Sequence, residues 1–349
     1  MSENTWLIYG ANGYTGRLIA AEAKSRRLSP LLAGRDAAAV EKLSNDLGLA
    51  SRSFALDDVD EIVRQLAGVT LVLNCAGPFC HTAPLLIEAC LRGKTHYLDI
   101  TGEIDVIELA AALDGRAREA GISVIPAVGF DVVPSDCLAA MLAEKLPTAT
   151  HLVLAFTASG SVSPGTAKTL LEVLPGGGRA RIDGEIRRVP ADWKWRTIPF
   201  PSGVKEAVTI PWGDVASAYY STGIRNIETY LAASARLTRQ SRWLRRIAWL
   251  LRSTTVRRLA QRFVARNITG PTADERAGQR AELWGEVSDA AGNHEAAVLE
   301  TPDGYTLTVT TALAAVAKVL SGQAPTGFST PSKAFGKDFV LTLPGTRFL

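Results

Sequence analysis

The chain has 349 residues, of which 47% are hydrophobic and 21% are charged, and its formal net charge is +3. This length accommodates two domains with packed cores, and so small a net charge does not by itself indicate a nucleic-acid partner. The four cysteines form no CxxC pair and do not cluster with the histidines, so neither a metal site nor a disulfide framework is predicted.

The N-terminal segment MSENTWLIYG lacks a basic stretch followed by a longer apolar run, so we expect no secretory signal. No apolar run approaches the ~20 residues that span a bilayer. We therefore expect a cytoplasmic protein that could also contact the inner membrane surface peripherally.

The first ~130 residues alternate between short apolar strands and helices, a spacing typical of βα units. The strands are predicted at Trp6–Tyr9, Leu31–Ala33, Ser53–Leu56, Leu71–Asn74, His96–Asp99 and Ser123–Pro126. The helices are predicted at 16–26, 37–47, 59–66, 84–92 and 104–119. This pattern predicts an α/β domain of Rossmann type, a parallel sheet covered by helices on both faces.

The pattern changes after a helix that Pro134 opens and Pro147 closes. Hairpins are predicted at Arg181–Ile186, around an Asp-Gly turn, and at 281–301, around Gly292-Asn293, before a long helix at 305–320. We therefore expect a second α+β domain with a mixed or antiparallel sheet. The predicted boundaries are 1–135 for the first domain, 136–325 for the second, and 326–349 for a tail that packs back on the first.

A glycine-rich turn follows the first strand and precedes the first helix. It reads Gly10-Ala11-Asn12-Gly13-Tyr14-Thr15-Gly16. Glycines at this place allow a sharp turn and a close approach of the backbone to a pyrophosphate, which the N–H groups at the helix start then bind. The spacing is G-x-x-G-x-x-G, and a structural turn would give the same letters, but the strand–turn–helix context favours a dinucleotide site.

The end of the second strand predicts which dinucleotide binds. Gly34 leaves space there and Arg35 offers a guanidinium, which suits the 2′-phosphate of NADP. A shift of register would make Asp36 a ligand of the ribose and would favour NAD. We predict NADP, with NAD as the less favoured cofactor.

Two further segments are candidates for cofactor contacts. Asp57 or Asp58, after the third strand, could bind the adenine amine, although Asp58 could equally cap the next helix. The fourth strand ends in Cys75-Ala76-Gly77-Pro78-Phe79, where Gly77 permits a close backbone approach. Ligands of open α/β sheets lie at the carboxyl ends of strands, so these five residues are predicted to line the path to the nicotinamide.

Reduction of C=O, C=N or C=C usually needs a proton donor beside the hydride source. The candidates are His81, Asp99, Glu103 and Asp131, which follow strands four to six. His81 has the most suitable ordinary pKa, but it could be only a residue of the helix entry. Asp99 and Glu103 could position a ligand or cap a helix. The Tyr-x-x-x-Lys pair of short-chain dehydrogenases is absent, because none of the seven tyrosines has lysine four residues later.

An arginine-rich segment occupies residues 236–266 of the second domain. It holds ten arginines interleaved with Trp243 and Trp249, and no acidic residue lies between Glu228 and Asp274. Such a segment could lie on an anionic membrane, could bind an acyl carrier protein, or could pack on its own domain with a solvated basic face. No nucleic-acid-reading motif accompanies the charge.

Several motifs in order resemble the saccharopine dehydrogenase-like oxidoreductases, and within them the trans-acting enoyl reductase type. Besides the glycine turn and the Cys75–Phe79 segment, they are His96–Glu103, Gly129–Asp136, Gly270-Pro271, Tyr305–Thr308 and Thr330–Ser332. The resemblance implies an NADP-binding domain followed by an α+β domain that supplies the substrate pocket and often a dimer contact. The chain departs from the family after Phe79, where Cys80-His81-Thr82 stands in place of Tyr-Gly.

These observations predict an NADP(H)-dependent oxidoreductase that acts on a hydrophobic enoyl, keto or imine substrate. The alternative is a non-catalytic NADP-binding scaffold or sensor at a membrane surface. Under either interpretation a homodimer is compatible with the resemblance.

Overall fold

The structure is a computed structural model that describes residues 5–157, 162–232 and 253–349. The chain forms two compact units. One unit contains Met1–Val133 and Tyr305–Gly336, and the other contains Pro134–Gly304 and Lys337–Leu349.

The first unit is built on a parallel sheet of seven strands. The first six strands are β1 (Trp6–Tyr9), β2 (Leu31–Gly34), β3 (Ser51–Ser53), β4 (Leu71–Asn74), β5 (His96–Asp99) and β6 (Ser123–Ile125). The seventh strand is Gly327–Phe328, which pairs in parallel with β6. From that edge the order is seventh strand, β6, β5, β4, β1, β2, β3, so β1 lies centrally between β4 and β2.

Helices connect these strands. They are α1 (Tyr14–Ser25), α2 (Ala37–Leu47), α3 (Val59–Gln65), α4 (Phe79–Gly93), α5 (Ile104–Ala112) and α6 (Asp114–Ala120), and Gly304–Leu320 and Pro331–Phe335 follow much later in the chain. Most predicted elements lie within two residues of the observed ones. Three differ: β3 ends at Ser53 instead of Leu56, α4 begins at Phe79 instead of residue 84, and the predicted helix 104–119 is divided at Leu113.

The core of the first unit has two layers because successive side chains of a strand point to opposite faces. In β1, Leu7 and Tyr9 contribute to one buried cluster, which α3 to α6 cover. Trp6 and Ile8 contribute to the other, which α1 and the helix Gly304–Leu320 cover. Both faces of the sheet are thus buried, as a parallel sheet requires, and the predicted fold class is confirmed.

The division into units differs from the contiguous boundaries that the sequence suggested. The helix Gly304–Leu320 was predicted within the second domain, but nearly all of it belongs to the first unit because Leu313 and Val316 fill the sheet cluster that contains Ile8. The predicted tail 326–349 is also divided. Residues to Gly336 belong to the first unit, and Lys337–Leu349 belongs to the second.

The second unit contains a mixed sheet of nine strands. They are β7 (His151–Thr157), β8 (Gly178–Ile182), β9 (Glu185–Val189), β10 (Trp195–Phe200), β11 (Gly203–Thr209), β12 (Asn226–Ala232), β13 (Arg280–Ser288), β14 (His294–Pro302) and the terminal strand Arg347–Phe348. Among the described residues of this unit, only β7 and β12 pair in parallel. The helices are α7 (Val133–Lys145), α8 (Pro164–Val173), α9 (Asp214–Thr222), Thr254–Asn267 and Ala273–Ala277.

Both predicted hairpins of the second unit are confirmed. β8 and β9 pair across Asp183 and Gly184, whose φ values of 54° and 89° are those of a tight hairpin turn. β13 pairs with β14 over nine residues across the turn that contains Gly292. The sheet is therefore of the mixed α+β type that the sequence predicted.

Candidate functional site

The glycine-rich turn lies at the carboxyl end of β1 and is closely packed. Gly10 has a φ of +79°, and a β-carbon there would lie 2.8 Å from the backbone nitrogen of Ala76. A β-carbon on Gly16 would overlap the carbonyl oxygen of Gly10. The first and last glycines are thus required by the path of the backbone. This packing also brings the turn against the Cys75-Ala76 segment, so the two predicted cofactor segments are in contact.

The start of α1 provides donors for an anion. Gly13 precedes the helix, and the first intrahelical hydrogen bond runs from the N–H of Arg17 to the oxygen of Gly13 at 2.9 Å. The N–H groups of Thr15 and Gly16 lie before that bond, at the positive end of the helix dipole. This is the arrangement in which a pyrophosphate accepts backbone hydrogen bonds.

Arg35 and Asp36, at the end of β2, have different surroundings. Asp36 caps α2, since its carboxylate accepts a hydrogen bond from the N–H of Ala39 at 3.1 Å. Arg35 is exposed beside it. Gly34 lies under the side chain of Asn12, because a β-carbon at residue 34 would lie 2.9 Å from its Oδ1. The geometry therefore favours Arg35, and not Asp36, as the residue available to the 2′ position of a ribose.

Asp57 and Asp58 differ in the same respect, since one caps a helix and the other does not. Asp58 caps α3 by accepting hydrogen bonds from the N–H groups of Asp60 and Glu61, whereas Asp57 is exposed. Burial raises the pKa of Tyr9 to about 12, while the charge of Arg35 opposes that rise and the charge of Asp57 adds to it. Arg35 and Asp57 thus both lie near Tyr9, at the end of the site where the adenosine of a dinucleotide would bind.

Tyr9 itself was not predicted as part of the site. Its hydroxyl donates to the carbonyl oxygen of Phe54 at 3.0 Å, and the two rings lie 5.0 Å apart. In the sequence Tyr9 is only the last apolar residue of a strand. Its role in joining β1 to the segment after β3 depends on strand order.

The loop after β4 is held by a chain of hydrogen bonds. Asn74 accepts from the N–H of Ala76 at 3.0 Å and donates to Thr82 and to Tyr97. Thr82 in turn donates to the carbonyl oxygen of Ala76 at 2.7 Å. The Gly77-Pro78 peptide within the loop is cis. These contacts fix the path of residues 75–79 at the carboxyl edge of the sheet.

Asp99 is an anchor beneath this loop. It is fully buried and accepts hydrogen bonds from the N–H groups of Ala127 and Thr101, at 2.7 and 3.0 Å, and from the hydroxyl of Tyr97 at 2.9 Å. Burial raises the pKa of Asp99 to about 6, and the three hydrogen bonds oppose that rise. Because three donors already bind its buried carboxylate, Asp99 is suited to positioning the neighbouring loops and is not presented to a substrate.

Glu103 caps the start of α4. One carboxylate oxygen accepts from the N–H of Phe79 at 2.7 Å, and the other accepts from the N–H of Cys80 at 2.8 Å. The thiol of Cys80 also hydrogen-bonds to this carboxylate. Burial raises the pKa of Glu103. These hydrogen bonds and the charge of His81 oppose that rise without cancelling it. The loop after β4 and the loop after β5 are joined through this side chain.

The structure brings the four predicted catalytic residues together, with Glu103 close to the other three, which are His81, Asp99 and Asp131. His81 lies in the first turn of α4, exposed, and its charge acts on Glu103. The charge of Glu103 in turn raises the pKa of both Asp99 and Asp131. The four positions come from three separate strand ends, as expected for the carboxyl edge of a parallel sheet.

Asp131 has a raised pKa, which suits proton transfer near neutral pH. Its carboxylate lies against the backbone of Gly102, where a β-carbon would come within 2.8 Å of Oδ2. Burial, and then the like charge of Glu103, raise the pKa of Asp131 to about 7. A carboxyl group that is protonated part of the time at pH 7 can act as a general acid.

The helix Gly304–Leu320 contacts Tyr14 of the glycine-rich turn, and the sequence did not predict this contact. The rings of Tyr14 and Tyr305 meet edge to face at 5.0 Å. The hydroxyl of Thr308 accepts from the N–H of Phe130 at 3.0 Å. The only signal was the Tyr305–Thr308 motif, which the resemblance had included without a role.

Among residues 5–157, 162–232 and 253–349, no cluster of three or more His, Cys, Asp or Glu side chains could hold a metal ion. Over the same part of the chain, no helix has the length and apolarity needed to cross a bilayer. The part 236–252 of the arginine-rich segment, including Trp243 and Trp249, lies outside the described residues, and the part 253–266 is described, almost all of it in the helix Thr254–Asn267.

Comparison with known proteins identifies the first unit. Residues 6–125 match the family model described as the saccharopine dehydrogenase NADP binding domain. Residues 6–125 therefore resemble an NADP-binding domain of this type. The match confirms the NADP cofactor predicted from the sequence and, over these residues, the predicted family resemblance.

Two curated relatives carry related names. A rat saccharopine dehydrogenase-like oxidoreductase is 30% identical over 153 residues, which cover 37% of this chain and 35% of the relative. A putative trans-acting enoyl reductase of Mycobacterium tuberculosis is 28% identical over 204 residues, which cover 53% of this chain and 47% of the relative. The matched part is thus less than half of either relative.

The fold has a counterpart among solved structures. The apo saccharopine dehydrogenase (L-Glu forming) of Saccharomyces cerevisiae superposes with a TM-score of 0.68 at 12% identity, covering 99% of this chain and all of that one. At this identity the similarity concerns the fold alone.

Proposed function

We propose that this chain is an NADP(H)-dependent oxidoreductase of the saccharopine dehydrogenase-like type that reduces a hydrophobic enoyl, keto or imine compound. The observation that carries the proposal is the contact between the glycine turn and the loop after β4. Gly10 packs on Cys75-Ala76, and four residues farther on Cys80 binds Glu103. The glycine-rich turn and the acidic side chains of Asp99, Glu103 and Asp131 therefore lie at the same edge of one sheet.

This chain's residues fit NADP along the whole edge. Thr15 and Gly16 would bind the pyrophosphate through their N–H groups, and Arg35 would bind the 2′-phosphate. Asp57 would accept from the adenine amine. The residues 75–79 would line the path toward the nicotinamide. When bound, NADPH supplies the hydride.

Asp131 is the proton donor in this proposal. Its protonated carboxyl group gives a proton to the oxygen, nitrogen or α-carbon of the substrate while the hydride goes to the other atom of the double bond. The carboxylate that results is reprotonated from solvent. Glu103 acts as a positioning residue, since it joins the two loops and its charge adds to the burial that raises the pKa of Asp131.

The name of the mycobacterial relative supports enoyl compounds as one substrate class to be tested. A panel of enoyl, keto and imine substrates, followed by NADPH oxidation, tests the proposal. Asp131→Asn should abolish oxidation and leave NADPH binding intact, while the exposed Asp46→Asn control should change neither. NADPH binding without oxidation of any substrate would favour the non-catalytic scaffold or sensor.

A second experiment tests the electrostatic effect of Glu103 on Asp131. For the substrate found, Glu103→Gln should lower the apparent pKa of the acid in the pH profile of kcat/KM, because the like charge next to Asp131 is removed. A loss of activity with an unchanged pH profile would indicate that Glu103 has only a structural role.

A further inference from the structure

The helix Thr254–Asn267 displays an apolar stripe on the surface of the second unit. Val256, Leu259 and Phe263 follow one another at helical spacing, and 58% of Leu259 and 67% of Phe263 is exposed. Large apolar side chains in a contiguous row on a helix are unusual on a solvent-facing surface and mark interaction sites.

The opposite side of the same helix is already used. Arg257 pairs with Glu172 of α8 at 3.1 Å, and Gln261 donates to the same carboxylate at 2.7 Å. Val264, on the same face, is buried. At 3.6 residues per turn, the stripe points roughly 140° away from this packed face. The helix is thus fixed to its own unit by one face while the stripe remains exposed.

Arginines border the exposed stripe along one flank. Arg258, Arg262 and Arg266 recur every four residues, all exposed. The helix contains no acidic residue, and none occurs in the sequence between Glu228 and Asp274. The helix surface therefore combines an apolar strip with an uncompensated positive strip.

We propose that the helix Thr254–Asn267 docks the protein on an anionic lipid surface, with Leu259 and Phe263 inserted at the acyl boundary and Arg258, Arg262 and Arg266 on the lipid phosphates. Amphipathic helices with cationic flanks bind membranes in this way. Each arginine near an anionic surface strengthens binding by roughly fivefold. The proposal is independent of the reaction at the first unit.

A protein partner fits this surface less well. Three side chains on one helix bury a few hundred Å² at most, whereas a stable interface needs about 800 Å² on each partner. A lipid surface has no such minimum, since binding sums the apolar insertion and the charge attraction. The observations therefore favour lipid over a second copy of this chain or an acidic carrier protein.

Vesicle flotation of the full chain tests the proposal. We expect the protein to float with vesicles of phosphatidylcholine containing roughly 30% phosphatidylserine, to bind vesicles of phosphatidylcholine alone far less, and to be released by high salt. Arg258→Gln/Arg262→Gln/Arg266→Gln should lower partitioning by roughly 100-fold at low salt. Leu259→Ser/Phe263→Ser should lower it by at least roughly tenfold.

Matched controls lie elsewhere on the second unit. Arg187→Gln/Arg188→Gln removes two exposed arginines of β9, and Val204→Ser removes a valine that is 70% exposed. Neither should affect flotation, and circular dichroism should show that all variants fold. No flotation of the unmodified protein, or equal flotation of the helix variants and the controls, would overturn the proposal. So would a sedimentation experiment in which the unmodified protein self-associates, the helix variants do not, and neither binds vesicles.

Discussion

A carboxylate oxygen of Glu103 accepts a hydrogen bond from the backbone N–H of Phe79 at 2.7 Å, across 24 residues of sequence. The contact places a negative charge at the positive end of α4, where the helix dipole stabilises it. Because Glu103 also binds the next N–H, at Cys80, one side chain holds the loops after two neighbouring strands.

Replacing this carboxylate should therefore affect stability as well as chemistry. In Glu103→Gln the side-chain amide would direct its own N–H against a backbone N–H, leaving a buried donor unsatisfied. We expect the free energy of unfolding to fall by about 1–3 kcal/mol, measured by urea denaturation. Glu119→Gln, an exposed glutamate on α6, is the control. An equal, small effect of both variants would contradict the capping role.

The choice between NADP and NAD should depend on Arg35. Arg35→Ala removes the charge expected at the 2′-phosphate, so affinity for NADPH should fall by roughly 10- to 100-fold while affinity for NADH changes little. Nicotinamide fluorescence titration measures both constants. Arg26→Ala, an exposed arginine at the end of α1, should leave the ratio unchanged. If the ratio of the two affinities is the same in Arg35→Ala as in the unmodified protein, another residue selects the cofactor.

The last glycine of the turn should be irreplaceable. Alanine is the better helix former, so on local propensity alone Gly16→Ala would stabilise α1. The β-carbon, however, would overlap the oxygen of Gly10. We expect NADPH affinity to fall by at least roughly 100-fold in the folded protein. Gly115→Ala, where the β-carbon meets no atom within 4 Å, is the matched control. A folded Gly16→Ala protein with full affinity would refute the assignment of the pyrophosphate site.

The raised pKa of Asp131 makes its contribution to stability depend on pH. Burial and Glu103 raise the pKa from 3.8 to about 7, so the folded protein binds this proton more tightly than the unfolded chain does. The resulting stabilisation is complete below about pH 4 and is lost as the pH rises through about 7. Relative to Asp131→Asn, which carries no titrating group there, the unmodified protein should thus lose stability over that interval.

Chemical denaturation of both proteins at a series of pH values measures this difference. The two curves should diverge between about pH 4 and pH 7 and run parallel above it. Parallel curves for Asp131→Asn throughout would mean that Asp131 titrates at its ordinary pKa.

Local signals predicted much of the first unit. β1 and the first three residues of β4 are continuous apolar runs, and the cap at Asp58, which the sequence offered as one alternative, is a short-range hydrogen bond of a kind that sequence reveals. The start of α4 was misjudged by five residues because its cap, Glu103, comes from another loop. Pro84 favoured a start near residue 84, yet it is accommodated inside the helix.

The candidate site was predicted less completely for the same reason. Glycine spacing and Arg35 are local features, and they indicated the cofactor. Tyr9, Asn74 and Thr308 take part through partners 45, 23 and 178 residues away. A single sequence contains no pattern for such pairs. It grouped His81, Glu103 and Asp131 only because all follow strands of one parallel sheet.

The helix Gly304–Leu320 also determines when the first unit can be completed. During synthesis the six leading strands emerge first, but the side chains that cover the cluster around Ile8 emerge only after ~170 further residues, those between Val133 and Tyr305. Until then one face of the nascent sheet is incompletely covered, a state that favours aggregation and chaperone binding. A fragment ending near residue 135 would keep every glycine of the dinucleotide turn and still lack the helix against which Tyr14 packs. The N-terminal segment is therefore made first, but its unit is completed only when residues 305–336 have emerged.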